Sequence, residues 1–472
     1  MLKAPNRCYD VPNSRIGADL LVPRLIFAAA VATLGARQAH AQSPTNLNVL
    51  QGLAPISALE TTIIGKAALA ANLSVTAAIQ DGSANQPLLL SFTEQRQQAL
   101  RDAYITDGNA YELADGLGTK LGGIYWSLTT IQSTDDGKTS SFTSLSPAVA
   151  LLIAYTNATT RSDSDTAKYF FGNATADSDA PVSAEALAIL AGVKGYTDIF
   201  GRAYGRLAGS AGADAYGNSR PFQTEPHLTS FAGKDFFGAQ SKNLDFLRGP
   251  SQDLMSSPSF PSGHTTYGYA ESLLLALLVP QRYLEMITRA AEYGNNRIIL
   301  GAHYAMDVLG GRTLAIYDIA QLLANKPRYV GISRGDVSIE DYQLAFAAAG
   351  SDATAAMEKA CGDKVAVCAR RDQSRFADAA KNKSFYETTQ TYGLPVVFEQ
   401  HADSKEDVAQ LAPEAGYLLT FAYPYLTLAE ADAILTETEG PGGGFLDNGS
   451  AFGVYSRLNL YKAAERAMAL RH

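Results

Sequence analysis

Hydrophobic positions recur at helical spacing along most of this 472-residue chain. Between 42 and 160, the runs ISALETTIIGKAALAANLSVTAAI and FTEQRQQALRDAYI combine strong helix formers with that spacing, and Gly, Asn and Asp clusters punctuate them. The pattern continues through SPAVALLIAY and SAEALAILAGVKGYTDIFGRAYGRLAG, the latter opened by Ser183 as N-cap. From 208 to 261 the periodicity fades into Gly, Ser, Pro, Asn and Phe. A loop of that length in a compact protein is functional or disordered; Phe222, Phe231, Phe236, Phe237 and Phe246 argue for an ordered, packed one. Helices are predicted again at 264–279, about 281–294 and 302–324. Beyond Pro327, DVSIEDYQLAFAAAGSDATAAMEKAC reads as helical, GLPVVFEQ as extended, and TLAEADAILTET as a short helix capped by Thr427. GPGGGFLDNGS reads as a turn-rich loop, and YSRLNLYKAAERAMAL as a closing amphipathic helix. The whole predicts an all-α protein. A helical domain spans 42–325, and an extension, 326–472, packs on or beside it.

Composition narrows the class. The chain is 46% hydrophobic and 18% charged, as in folded globular proteins. Its net charge of -9 speaks against nucleic acid as a partner, because a phosphate backbone calls for a basic face. Residues 1–41 read as an export signal: Lys3, Arg7, Arg15 and Arg24 precede the apolar stretch Leu25 to Ala36, which is too short to span a bilayer, and AHAQ offers cleavage after Ala41. No later apolar run reaches 18 residues, so integral membrane association is not expected and the location is periplasmic or secreted. In an oxidising compartment Cys361 and Cys368, in CGDKVAVC, are expected to form a small-loop disulfide.

Three stretches hold the chemistry. SRPF contributes Arg220, PSGH contributes Ser262, Gly263 and His264, and NRIILGAHYAMDV contributes Arg297, His303 and Asp307. Ser262 and Gly263 sit where free backbone N–H groups open a helix, which makes an anion cradle, and glycine lets the backbone approach a ligand closely. Two arginines can fork onto phosphate oxygens. His303 and Asp307, four apart, are expected to share a helix face, where the carboxylate can fix the imidazole's tautomer. One histidine would attack and the other donate a proton while arginines hold the charge; the spacing alone does not say which histidine attacks. His227, His401 and His472 have no partner at motif spacing, Glu225 reads as a loop residue, and the glycines at 442–444 lack the sequence of a nucleotide-binding loop.

Together the stretches resemble the signature of the type 2 phosphatidic acid phosphatase superfamily, which includes bacterial class A acid phosphatases and vanadium haloperoxidases. That signature runs Lys-x6-Arg-Pro, Pro-Ser-Gly-His, then Ser-Arg-x5-His-x3-Asp. Here it reads Arg220-Pro221, Pro261-Ser262-Gly263-His264 and Arg297-x5-His303-x3-Asp307. The likeness centres on residues 190–325. It implies an α-helical bundle and a metal-independent phosphatase with no cofactor. His303 would form a phosphohistidine, Asp307 would orient it, and His264 would protonate the leaving alkoxide. Arg220, Arg297, Ser262 and Gly263 would hold the phosphoryl oxygens of a small-molecule phosphomonoester. Two positions depart from the pattern. Asn296 replaces the serine before Arg297, and Ala213 occupies the lysine slot, for which Arg206 and Lys234 are the candidate substitutes. The alternatives to the phosphatase are a haloperoxidase that binds vanadate as cofactor in the same cradle and, because Ala213 fills the lysine slot, a phosphate-binding protein with little turnover. The phosphatase reading predicts an activity maximum between roughly pH 5 and 7.

Overall fold

The computed structural model describes residues 45–103, 110–133, 140–177, 180–192, 199–207, 209–210, 216–225, 227–244, 254 and 257–471. The export signal and Ala213, Phe246 and His472 lie outside these. From residue 45 onward the described chain belongs to one compact unit.

The architecture is mainly α. The helices that place the site are α1 (Ile63–Asp81), α2 (Phe92–Asp102), α3 (Pro147–Asn173), α4 (Gly263–Leu278), α5 (Tyr283–Ile299) and α6 (Ala305–Leu323). Those of the later chain are α7 (Tyr342–Cys361), α8 (Ala379–Thr389), α9 (Leu428–Thr438), α10 (Ala451–Arg457) and α11 (Leu460–Ala469). Strands among the described residues occur only as short antiparallel hairpins. One of them, Ala232–Lys234 with Gln240–Lys242, gives shape to the long loop before the Pro-Ser-Gly-His motif.

Every residue of α4 and α6 is buried, so these two helices have no solvent face and form the centre of the unit beside α5. Ser262 caps α4 by accepting from the Thr265 N–H at 3.1 Å, and Pro280 follows its end. α5 runs to Ile299, past the predicted end, and so carries Arg297 within its last turn. The chain then reverses through Gly301, whose φ of 75° is the left-handed conformation that favours glycine. α6 begins only at Ala305. The first free N–H groups of α6 are met by side chains: Tyr304 N–H donates to Asp307 Oδ2 (2.8 Å), Ala305 N–H to Thr76 (3.0 Å) and Met306 N–H to Asn72 (3.0 Å). α1 thus pins the start of α6.

α1 is long and apolar enough, by length and composition, to cross a membrane, contrary to the expectation that no such run follows the signal. In the fold its Asn72 and Thr76 are buried against α6, and its Gln80 donates to the Thr229 carbonyl.

The chain beyond 326 packs on the central helices: α7 against α3, α8 and α11 against α5, and α10 against α6. Thr427 caps α9 in a capping box, and Ser183 accepts from the Ala186 N–H, as their sequences predict. Cys361 and Cys368 are bridged, with Cα atoms 6.6 Å apart. Two local readings need correction. GLPVVFEQ forms no strand, and the closing helix is broken at Leu458–Asn459, where Asn459 caps α11 anew. Of the loop aromatics, Phe222 and Phe231 pack against the core, Phe236 meets Tyr111 edge-on, and Phe237 is exposed.

A buried charge network joins the extension to the centre. Arg289 on α5 contacts Asp102 (2.6 Å), Asp115 (2.7 Å) and Glu292 (3.3 Å), and Arg375 contacts Asp115 and Glu292, each at 2.7 Å. Asn296 belongs to it, donating to Asp102 and accepting from Gln95. Its place beside Arg297 is therefore filled by a residue that satisfies buried polar groups.

Candidate active site

Turn 300–304 delivers His303. It precedes α6, so the expectation that it shares a helix face with Asp307 is corrected: Tyr304 is the N-cap and Asp307 the third residue of the helix. The two side chains, both fully buried, approach to 3.5 Å between Nδ1 and Oδ2, which is long for a hydrogen bond. Ser259 stands between them. Its hydroxyl donates to Asp307 Oδ2, and its oxygen lies 3.3 Å from His303 Nδ1. Asp307 therefore acts on the imidazole through a serine.

Arg220 lies on the other side of the ring. Its Nη1 is 3.0 Å from His303 Nε2 and also donates to the Ala302 carbonyl at 3.0 Å. Its Nε and Nη2 are tied to the carbonyls of Ser257 (2.8 Å) and Pro258 (3.2 Å). A guanidinium can only donate, so Nε2 accepts and carries a lone pair, and the ring proton sits on Nδ1 toward Ser259. In this tautomer the lone pair is on Nε2.

His264 occupies the first turn of α4, with its ring centroid 6.1 Å from that of His303. Its Nε2 is buried and has no hydrogen-bond partner. The first-turn N–H groups of Gly263 and His264 have no acceptor within the helix. Burial, then Arg297, Arg220 and Lys168 in that order, hold His264 well below the ordinary histidine range. Burial, then Arg220 and Arg297, do the same to His303. Burial and these cations thus favour the neutral form of both rings. Burial also raises Asp307 to about 7, opposed by the hydrogen bonds from Ser259 and Tyr304 and by Arg220.

The cations acting on both imidazoles are Arg220, Arg297 and Lys168. Lys168 was not singled out from the sequence. A methyl group placed on Gly263 would lie 3.0 Å from Lys168 Nζ, 3.1 Å from the Tyr267 hydroxyl and 3.2 Å from the Ser164 hydroxyl. The lysine is buried on α3, and Asp165 holds its ammonium at 3.1 Å. Arg206 is placed instead in the turn after Ile199–Ala203, and Lys234 in an exposed strand. Ala213 lies outside the described residues.

A signal for Lys168 does exist in the sequence. If residues 174–218 are set aside, the chain reads Lys168-Tyr-Phe-Phe-Gly-Asn173, then Ser219-Arg220-Pro221, which is Lys-x6-Arg-Pro. The structure closes the same gap. The carbonyl of Tyr216 would lie 3.0 Å from a methyl group on Gly172, and the rings of Tyr169 and Tyr216 meet edge-on at 5.4 Å. Thus the chain leaves α3 and returns beside it before reaching Arg220. Of the remaining candidates, His401 contacts Glu406 in the extension and His227 is exposed. Among the described residues, no three His, Cys, Asp or Glu side chains gather as a metal-ligand set.

Comparison with known proteins agrees with this geometry. Residues 199–325 match the PAP2 superfamily. An acid phosphatase of Zymomonas mobilis is 42% identical over 64 residues, which cover 14% of this chain and 24% of that protein. A non-specific acid phosphatase of Salmonella typhimurium is 41% identical over 69 residues, 15% and 28% of the two chains. One of Providencia stuartii is 31% identical over 122 residues, 26% and 42% of the two chains. The chain spans less than half the length of these curated relatives. Residues 199–325 are thus similar to the PAP2 superfamily, and the curated relatives that match part of the chain are named acid phosphatases.

Proposed function

We propose that this protein is an exported acid phosphatase, periplasmic or secreted, that hydrolyses soluble phosphomonoesters through a phosphohistidine and without a metal or other cofactor. The observation that carries the reading is the lone pair of His303 Nε2, held beside Arg220 in a buried pocket that Arg297 and Lys168 also charge positively. The names of the partial-length relatives support the reaction class. The export signal in the sequence supports the location.

In the first step His303 Nε2 attacks phosphorus, a P–N bond forms and the ester P–O bond breaks. The leaving alkoxide takes a proton from His264. In the second step neutral His264 accepts a proton from water, whose oxygen attacks phosphorus; the P–N bond breaks and phosphate leaves. Arg220, Arg297, Lys168 and the N–H groups of Gly263 and His264 hold the three phosphoryl oxygens throughout. Asp307, through Ser259, keeps His303 in the attacking tautomer. Vanadate, a phosphate mimic, would occupy the same cradle as an inhibitor.

The test is turnover of nitrophenyl phosphate by the exported protein, with and without EDTA, together with acid quenching of a radiolabelled substrate. The expected result is chelator-insensitive hydrolysis and an acid-labile phosphoprotein that His303→Ala lacks. Absence of turnover, or activity lost to EDTA and restored by zinc, overturns the proposal.

A further inference from the structure

A second cavity, of about 110 Å³, lies between α6 and the extension. Met306, Leu309, Leu394, Phe445 and Leu446 give it apolar walls. At 3.6 residues per turn, positions 306, 309 and 313 of α6 point away from Asp307 and Gly311, so the helix separates this cavity from the catalytic pocket.

Arg312 also lines it. This side chain is 2% exposed, yet no carboxylate among the described residues pairs with it. Its Nη2 donates to the Leu458 carbonyl at 3.0 Å and lies 3.4 Å from the Tyr386 hydroxyl, and its Nε has no hydrogen-bond partner. Two other buried arginines are compensated differently. Arg289 meets Asp102, Asp115 and Glu292; Arg457 meets Glu439, Glu406 and Asp447. A buried cation is strongly disfavoured unless an anion compensates it. Among the described residues no carboxylate compensates Arg312; the Tyr386 ring, its centroid 5.4 Å from the guanidinium carbon, is its cation–π partner, and Thr313, Gln390, Thr391 and Ser456 add polar groups to an otherwise apolar lining.

We propose that this cavity binds a small carboxylate with an apolar body, of the class of benzoate or hexanoate. The carboxylate would pair with Arg312, whose planar fork matches it, and the body would fill the space between Leu309 and Phe445. At about 110 Å³ the cavity is smaller than the roughly 150 Å³ that holds a benzene ring, so it takes in only part of such a body, the remainder lying at its open rim by Val396, and it excludes a long-chain lipid. The proposal is independent of the phosphatase reading, and it gives the extension a task.

Isothermal titration of the exported chain with benzoate and hexanoate, with benzyl alcohol as the neutral control, tests it. The expected result is saturable one-site carboxylate binding, with benzyl alcohol weaker by about tenfold or more, and no displacement by excess inorganic phosphate. Arg312→Met should abolish the preference for carboxylate. Because that change also removes the Leu458 bond, Val396→Trp at the rim, where Val396 is 37% exposed, is the second variant; it should block every probe while leaving the melting temperature unchanged. No saturable binding to the wild type, equal affinity for benzoate and benzyl alcohol, displacement by phosphate, or wild-type binding by a stable Val396→Trp protein would each overturn the proposal.

Discussion

Arg220 Nη1 sits 3.0 Å from Nε2 of His303, and backbone carbonyls of Ser257, Pro258 and Ala302 fix the guanidinium there. Guanidinium and imidazole are therefore held together by the fold itself. The adjacent cation disfavours a proton on the imidazole. Such preorganisation removes reorganisation from the reaction itself.

His303→Ala is expected to abolish turnover of every phosphomonoester. His264→Ala should spare nitrophenyl phosphate relative to alkyl phosphates, since a leaving group that departs as a stable anion needs little protonation. Steady-state kinetics on the two substrate classes check this. An equal loss on both would remove the acid role from His264.

Lys168→Ala is expected to lower kcat/KM by about a hundredfold or more, the usual effect of deleting one donor to the developing charge. Lys168→Arg should recover part of it. Ala213→Lys should not rescue Lys168→Ala, although it restores the motif's linear spacing. Rescue by that second change would return the role to position 213.

These cases show how far the sequence could be read. Helix periodicity, caps at Ser183, Ser262 and Thr427, and Pro280 mark elements whose information is local, and they were legible. The histidines and arginines of the three motifs were legible because their spacing is short and unbroken. Lys168 was hidden because residues 174–218 interrupt the count, and only a tertiary contact beside Gly172 restores it. His303 was misplaced onto a helix because apolar periodicity runs through the turn, where only the φ of Gly301 breaks the chain direction. Ser259 carries no signal at all: its role exists because the Phe260–Pro261 segment brings it between His303 and Asp307.

Reduction of the Cys361–Cys368 bridge, or the double change to serine, should lower the melting temperature without altering kcat. A loop of about eight residues is worth roughly 2–3 kcal/mol in the entropic treatment of crosslinks. The bridge ties the end of α7 to the segment after it, in the extension. A large fall in kcat at a temperature where the variant remains folded would contradict this assignment.

Arg289→Ala should destabilise far more than any surface ion-pair deletion. Removing it leaves Asp102, Asp115 and Glu292 buried with one fewer cation, and breaking a buried pair from one side costs about 3–5 kcal/mol. Chemical denaturation compares it with Lys364→Ala, whose partner Glu358 it meets at the surface. Similar losses in the two variants would show that the network is hydrated.

The pH profile follows from the histidines. His303 is held well below the ordinary histidine range, so it stays unprotonated, and able to attack, in acid where a free imidazole would be protonated. The acid limb of kcat/KM should therefore fall below the ordinary histidine value of about 6.5. His264 is lowered too, so the empty enzyme at neutral pH lacks the proton that the acid step requires. That proton can arrive with the substrate. A phosphomonoester monoanion meeting neutral His264 has the same proton count as a dianion meeting imidazolium, and the second ionisation of a phosphomonoester lies near about pH 6. Above it the competent protonation state becomes scarce and the alkaline limb begins. Asp307, at about 7, ionises in the same window; its carboxylate then stabilises the positive charge that attack would develop on His303, so it is not the cause of the alkaline fall. The limbs thus belong to the coupled site, and the optimum is acidic. Asp307→Asn should leave the alkaline limb in place while lowering kcat by a factor on the order of a hundred or more, because the tautomer is held less firmly. Rates measured from about pH 3 to about pH 9 decide the matter. An acid limb at or above the free histidine value, or a rate still rising at the alkaline end, would mean that the burial and cations around His303 do not govern the nucleophile.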